Sequence, residues 1–197
     1  MSAPAPIRRI ERPVIFVCDI QEKFRPAIHE FDKVVSSTKK LLRMATPLSI
    51  PIHTTTQNAA RLGPIVPDLT PPRAQPHDKT LFSMYIPVLA AALQPQSSVA
   101  IAGIESHICV TQTALDLLAA GHNVYVLADA VSSCNAEEVP LALRRLAAAG
   151  AVVTTTESWI YEVMRDAAIP QFKEVVGIVK ETGAETKAAL KALTPRI

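Results

Sequence analysis

Four short, nearly unbroken apolar runs constrain this chain most: Val14-Ile15-Phe16-Val17-Cys18, Ser98-Val99-Ala100-Ile101-Ala102-Gly103, Val124 to Ala128, and Ala151 to Thr155. Such β-branched-rich runs are the pattern of strands covered on both faces in a parallel sheet. Between them the spacing turns helical. Phe31, Val34, Val35, Thr38, Leu41, Leu42 and Ala45 recur at three- and four-residue intervals, which lines one stripe of an amphipathic helix that Pro47 brings to an end. Ile50 to Thr55 reads as a short second strand. Strands separated by helices need crossover connections, and those are right-handed within one sheet. The fold class predicted is therefore α/β, a three-layer αβα sandwich with a mostly parallel central sheet of about five or six strands.

Further along, Ser106 to Ala120 reads helical, with Gly121 placed as the residue of positive φ beyond it. Asn135 and Glu138 have the spacing of a capping box before a helical run to Ala149, although Pro140 conflicts with that start. A last helical region, Ser158 to about Lys180, is predicted to break near Pro170. From Gln57 to Asp78 the prolines at 64, 67, 71, 72 and 76 mark a loop.

At about 150 residues per domain, 197 residues predict a single domain over 1–197, with a core over about 12–180 and a tail over about 181–197. Hydrophobic residues at 49% against 19% charged exclude a disordered chain. Twenty Lys+Arg against eighteen Asp+Glu leave +2, and aromatics are 5%, so neither a basic footprint nor a base-stacking platform supports a nucleic-acid partner. No apolar stretch approaches the roughly 20 residues of a membrane span. Arg8, Arg9 and Arg12 are followed by no apolar leader region, so no removable targeting segment is expected. Cys18, Cys109 and Cys134 cannot all pair and show no C-x-x-C spacing, which speaks against a disulfide scaffold or a zinc knuckle. The expected compartment is reducing and intracellular, cytoplasmic, with mitochondrial association left open.

In doubly wound sheets ligands bind outside the carboxyl ends of the strands. That rule selects Asp19, at the end of the first strand, and Cys109, at the start of the helix after the Val99–Gly103 strand. Lys79 follows the proline-rich loop. Each has an ordinary alternative: an aspartate after a strand caps a turn, a loop lysine is solvated, and a cysteine is a small buried hydrophobe. The last reading is retained for Cys18 and Cys134. His107 is set aside as a partner of Cys109, because residues two apart on a helix are turned by about 200°. His53, at another strand end, reads as a structural histidine.

The segments CDIQEKF (18–24), HDKTLFSM (77–84) and GIESHICVTQTALDLLAAGHNVYVLADAVSS (103–133) resemble the isochorismatase-like cysteine hydrolases, especially the isochorismatase domain-containing proteins. The resemblance implies a catalytic triad of Asp19, Lys79 and Cys109. In it Asp19 accepts the thiol proton, Lys79 steadies the charges, and Cys109 attacks an electrophilic carbon. A free thiol has a pKa of about 8.5, and a helix N-terminus with a nearby cation favours the reactive thiolate. The resemblance also implies a cis peptide at Ile104–Glu105, aiming the backbone N–H groups of Glu105 and Cys109 at an oxyanion. It makes Phe24 an aromatic pocket wall and puts Gln57 in the substrate region.

Relatives that use zinc on nicotinamide carry an Asp/His cluster after the second strand. Here that segment is His53-Thr54-Thr55-Thr56-Gln57-Asn58, so neither a metal nor another cofactor is expected. The expected activity is hydrolysis of a C–N, amide-like bond in a small molecule. Alternatives are a vinyl-ether hydrolase, a non-catalytic binding or scaffold protein of the same fold, and a redox sensor, for which no resolving cysteine is evident in sequence. The apolar residues Trp159, Ile160, Val163, Phe172, Val175 and Val176 exceed what a minimal sheet needs and suggest a homo-oligomer.

Overall fold

The computed structural model describes residues 9–69 and 75–194, so Pro71 and Pro72 of the proline-rich loop lie outside the described residues. Among the described residues the strands are β1 (Pro13–Cys18), β2 (Ile52–Gln57), β3 (His77–Lys79), β4 (Ser98–Ile104), β5 (Asn123–Ser132) and β6 (Val152–Thr154). They form one six-stranded sheet in the order β3-β2-β1-β4-β5-β6. Every pairing is parallel. The helices are α1 (Phe31–Ala45), α2 (Ala59–Leu62), α3 (Pro87–Ala92), α4 (Thr111–Ala119), α5 (Glu138–Ala148), α6 (Thr156–Met164), α7 (Phe172–Glu181) and α8 (Gly183–Leu193).

Alternation along β1 makes the three layers. Ile15 and Val17 face a core shared with α1, α6, α7 and α8, including Leu41, Trp159 and Ile178. Val14, Phe16 and Cys18 face the other core, with Leu89 of α3, Leu117 of α4 and Leu143 of α5. Each fully buried side chain of this size removes apolar area worth about 1.5–3 kcal/mol from water. Two-sided burial is why the strands read as continuous apolar runs and not as alternating ones.

β1 and β4 approach very closely where they end. Cys18 is in register with Gly103, and Gly103 has φ +124 with space for no side chain: a Cβ there would lie 2.1 Å from the Cys18 carbonyl oxygen. Glycine is required twice over, by its dihedral and by the contact.

Several local expectations change. The sixth strand is β3, three residues pairing with Thr55 to Gln57 at the sheet edge, a register too short to show any periodicity in sequence. β6 is a partly exposed edge strand confined to Val152–Thr154. No Asn135–Glu138 capping box forms; α5 begins at Glu138, which leaves Pro140 in the first turn, where its missing N–H has no partner to lose. The last helical region divides into α6 and α7, and the break spans Pro170. Residues 183–193, placed by sequence in a tail, form α8 on α1, with Ala189 and Leu193 buried. Lys40 Nζ donates to Thr186 Oγ1 at 2.9 Å, and Arg43 forms a bidentate pair with Glu181.

Five of the six apolar residues singled out in 157–180, all but the half-buried Val176, are used inside the chain. Trp159, Ile160 and Val175 are completely buried, and Val163 and Phe172 pack against the same core. They cover α1 and do not form a spare surface. Exposed apolar side chains lie mostly elsewhere, at Leu81, Phe82, Val88, Leu141 and Val152, with Tyr161 the exception within the segment.

Candidate active site

The strand order reverses between β1 and β4, and the chain segments leaving those two strands bound the crevice where such sheets bind ligands. Asp19 is the first residue after β1. Its φ of +51 is one of the left-handed conformations that aspartate tolerates better than most residues, and it turns the carboxylate inward, 1% exposed. Thr55 Oγ1 donates to Asp19 Oδ1 at 2.7 Å, and Lys79 Nζ donates to Asp19 Oδ2 at 2.7 Å.

Lys79 is buried, contrary to the solvated alternative. Its ammonium also donates to Gln57 Oε1 at 2.7 Å and to the carbonyls of Leu81 and Phe82, both at 3.1 Å. A buried charge is costly unless paired and hydrogen-bonded, and these acceptors together with Asp19 supply the compensation. The pairing of β3 with β2 brings the lysine there, Gln57 being in register with Lys79.

Cys109 comes from the other side of the crevice. Beyond β4 the Ile104–Glu105 peptide is cis, and Ser106–Val110 makes one π-helical turn before α4 begins. The Val110 N–H donates to the Glu105 carbonyl at 3.1 Å, the wider bond of such a turn. The turn is pinned by Thr113, whose hydroxyl donates to the Cys109 carbonyl at 2.7 Å and accepts from the Met84 N–H at 2.9 Å. Cys109 Sγ, Cys18 Sγ and an Asp19 carboxylate oxygen all lie within 4.8 Å of one another.

The structure therefore brings Asp19, Lys79 and Cys109 to one buried locus. The Glu105 side chain points away from it, its Oε2 accepting from the Cys134 N–H at 2.8 Å. His107 Nδ1 bonds Ser133 Oγ at 2.9 Å. Gln57 has both ends of its amide engaged, Oε1 with Lys79 and Nε2 donating to the Thr80 carbonyl at 2.9 Å. Phe24 is half-buried against the core beneath α1. His53 stacks edge-on against Phe16, with ring centroids 5.7 Å apart, and burial, with His77 nearby, holds its pKa below the usual imidazole value.

Three participants escaped the sequence reading. Thr55 fixes Asp19 Oδ1. Gln21, completely buried, spans β1 and β2: its Oε1 accepts from the Gln57 N–H at 2.8 Å, and its Nε2 donates to the carbonyls of Gln57 at 3.2 Å and Gly63 at 2.7 Å. Gln21 falls inside the CDIQEKF segment, but nothing in its spacing reveals a clamp. Cys18 is the third. Read as a background thiol, it donates its Sγ–H to Asp19 Oδ2 at 3.5 Å, and burial, then the neighbouring Cys109 and Asp19, push its pKa well up.

Two groups of described side chains have a spacing compatible with a metal ion: Cys18, Asp19 and Cys109, and Glu105, His107 and Cys134. In the first, the Lys79 ammonium already occupies Asp19 Oδ2 and sets a positive charge against any cation. In the second, Glu105 Oε2 and His107 Nδ1 are engaged as described above. Among the described residues no helix is long and apolar enough to cross a membrane.

Comparison with known proteins identifies the family and the fold. Residues 13–158 match the family model of the isochorismatase domain. The chain is 43% identical over 185 residues to isochorismatase domain-containing protein 2A of Mus musculus, covering 91% of this chain and 89% of the mouse protein. A Caenorhabditis elegans structure described as MAR1 ribonuclease superposes with a TM-score of 0.84 at 38% identity, over 88% of this chain and 93% of that one. The YcaC gene product of Escherichia coli, described as an octameric hydrolase of unknown specificity, shares the fold with a TM-score of 0.73 at 22% identity, over 98% and 94% of the two chains. With a buried carboxylate, lysine and thiol at the switch point of an all-parallel sheet, and a family match over most of its length, this chain belongs to the isochorismatase family.

Proposed function

We propose that the chain is a small-molecule hydrolase in which Cys109 is the nucleophile, acting on a C–N, amide-like bond. One observation carries the reading: a single carboxylate, Asp19, is held by Lys79 at 2.7 Å and lies within 4.8 Å of the Cys109 sulfur. Asp19 accepts the thiol proton, while Lys79 keeps the carboxylate fixed and balances the negative charge. Cys109 Sγ then forms a bond to the substrate carbonyl carbon. The oxygen of the tetrahedral intermediate is received by the backbone N–H groups of Glu105 and Cys109, each such donor being worth about 3 kcal/mol in related chemistry.

Collapse of the intermediate breaks the C–N bond, and the amine leaves with the proton held on Asp19. Water, deprotonated by the same carboxylate, attacks the thioester and regenerates the thiol. Gln57 acts as a positioning residue for Lys79, and Phe24 is the candidate wall for the substrate. The ribonuclease description belongs to the C. elegans protein. Here a net charge of +2 and 5% aromatic residues supply little to hold a polyanion.

Turnover of a panel of small amides and esters tests the reading. Asp19→Asn and Cys109→Ala should each lower turnover by about 100-fold or more, as removal of a general base or nucleophile does. A hit that Cys109→Ala turns over at the parent rate contradicts the covalent route and favours vinyl-ether-type chemistry on Asp19 alone. The proposal includes self-association through the exposed Leu81, Phe82 and Val88. A monomer in sedimentation equilibrium at tens of micromolar removes that part.

A further inference from the structure

We propose that Cys18 and Cys109 are a disulfide-forming pair, so that the site carries its own resolving thiol and is reversibly closed by peroxide. The proposal rests on the reading of Cys109 as the reactive thiol. Cys18 ends β1 and Cys109 sits in the turn after β4, the neighbouring strand, with both sulfurs within 4.8 Å of each other and of one Asp19 oxygen. The third thiol is separated from them: Cys134 is exposed, and its sulfur belongs with Glu105 and His107.

The steps balance. The Cys109 thiolate attacks one oxygen of hydrogen peroxide, giving a sulfenic acid and hydroxide; the sulfur is oxidised by two electrons and the peroxide reduced. Cys18 passes its proton to Asp19 Oδ2, to which it already donates at 3.5 Å, and its sulfur attacks Cys109 Sγ. The S–O bond breaks and the oxygen departs as water. In sum two thiols and one peroxide give a disulfide and two waters.

Geometry allows the last approach, from within 4.8 Å to the roughly 2.05 Å of an S–S bond. Cys18 is anchored in a central strand against Gly103, so the adjustment falls on the Cys109 side chain and on its π-turn, within what the Thr113 hydrogen bond to the Cys109 carbonyl permits. Burial keeps the Cys18 thiol protonated, which separates the two roles. Cys109 is the sulfur that meets oxidant, and Cys18 reacts only once a sulfenic acid stands beside it.

Without such a neighbour a sulfenic acid continues to sulfinic acid, which thiols do not reduce. The test is peptide mapping of the full chain under non-reducing conditions after exposure to a few equivalents of hydrogen peroxide. The expected product is a Cys18–Cys109 cross-linked peptide that dithiothreitol releases. In Cys18→Ser, and in Cys18→Ala as a second variant should the first fold poorly, Cys109 should instead be trapped by dimedone and go on to sulfinic acid several-fold faster. Sulfinic acid at Cys109 forming equally fast in parent and variants, with no cross-link, overturns the pair. Iodoacetamide labelling separates the two proposals: a reactive Cys109 without a cross-link sinks the pair alone, and an inert Cys109 sinks both.

Discussion

Lys79 Nζ lies 2.7 Å from Asp19 Oδ2, and the two side chains are each only 2% exposed. Such a pair contributes little net stability over an apolar alternative, but losing one partner strands a buried charge at a cost of about 3–5 kcal/mol. Lys79→Met should therefore lose about that much in urea unfolding. The double variant Lys79→Met/Asp19→Asn should be more stable than Lys79→Met alone, because no carboxylate is left uncompensated. Additive losses would show that the two groups are not coupled.

Gly103 sets the spacing between the two halves of the site. Gly103→Ala combines a left-handed φ, costing about 1–3 kcal/mol, with overpacking against the Cys18 backbone, about 1–3 kcal/mol more. The expected result is a stability loss of that order, together with a changed alkylation rate at Cys109, since β1 and β4 are forced apart where the two thiols meet. A variant as stable as the parent contradicts the close approach.

Gln21, just beyond β1, is tied to the end of β2 by two hydrogen bonds with Gln57 and to the chain after α2 by a third, to Gly63. Gln21→Ala leaves the Gln57 N–H without its acceptor, at a cost of about 1–3 kcal/mol. Because Gln57 in turn holds Lys79, turnover should fall as well. Retained stability and turnover would reduce Gln21 to a bystander.

Burial lowers the pKa of both His53 and His122. The unfolded chain, with imidazoles near 6.5, then binds more protons than the folded one between that value and the depressed folded values. Stability rises with pH through this window and is lost as the pH falls through it. Urea midpoints at about pH 7.5 and about pH 5.5 should differ more for the parent than for His53→Gln/His122→Gln. Equal differences would assign the acid loss to other groups.

The fold was legible where burial imposes a pattern. β1 and β4 are covered on both faces and read as apolar runs, and the stripe from Phe31 to Ala45 marks α1 because one helical face meets the core. β3 was not legible: its three residues, His77-Asp78-Lys79, are defined by pairing with β2 and carry no period of their own. α8 was hidden for a related reason, since its place on α1 depends partly on Lys40, a buried lysine that donates to Thr186 and has Glu157 at 3.8 Å. Local sequence gives no sign that a lysine will be buried. Within the site, Asp19, Lys79 and Cys109 could be named from three separated segments. The placement of Cys18 beside them could not, because the contact between β1 and the turn after β4 exists only once the sheet is assembled.

The most direct measurement is the iodoacetamide alkylation rate of each cysteine in the folded full chain, read by mass spectrometry. Cys134 is exposed and Cys109 is 7% exposed, so accessibility alone favours Cys134. If Asp19 and Lys79 activate the buried thiol, Cys109 alkylates faster than Cys134 in the parent, and Asp19→Asn abolishes the difference. Alkylation of Cys134 ahead of Cys109 in the parent, unchanged by Asp19→Asn, contradicts the assignment of Cys109 as the nucleophile.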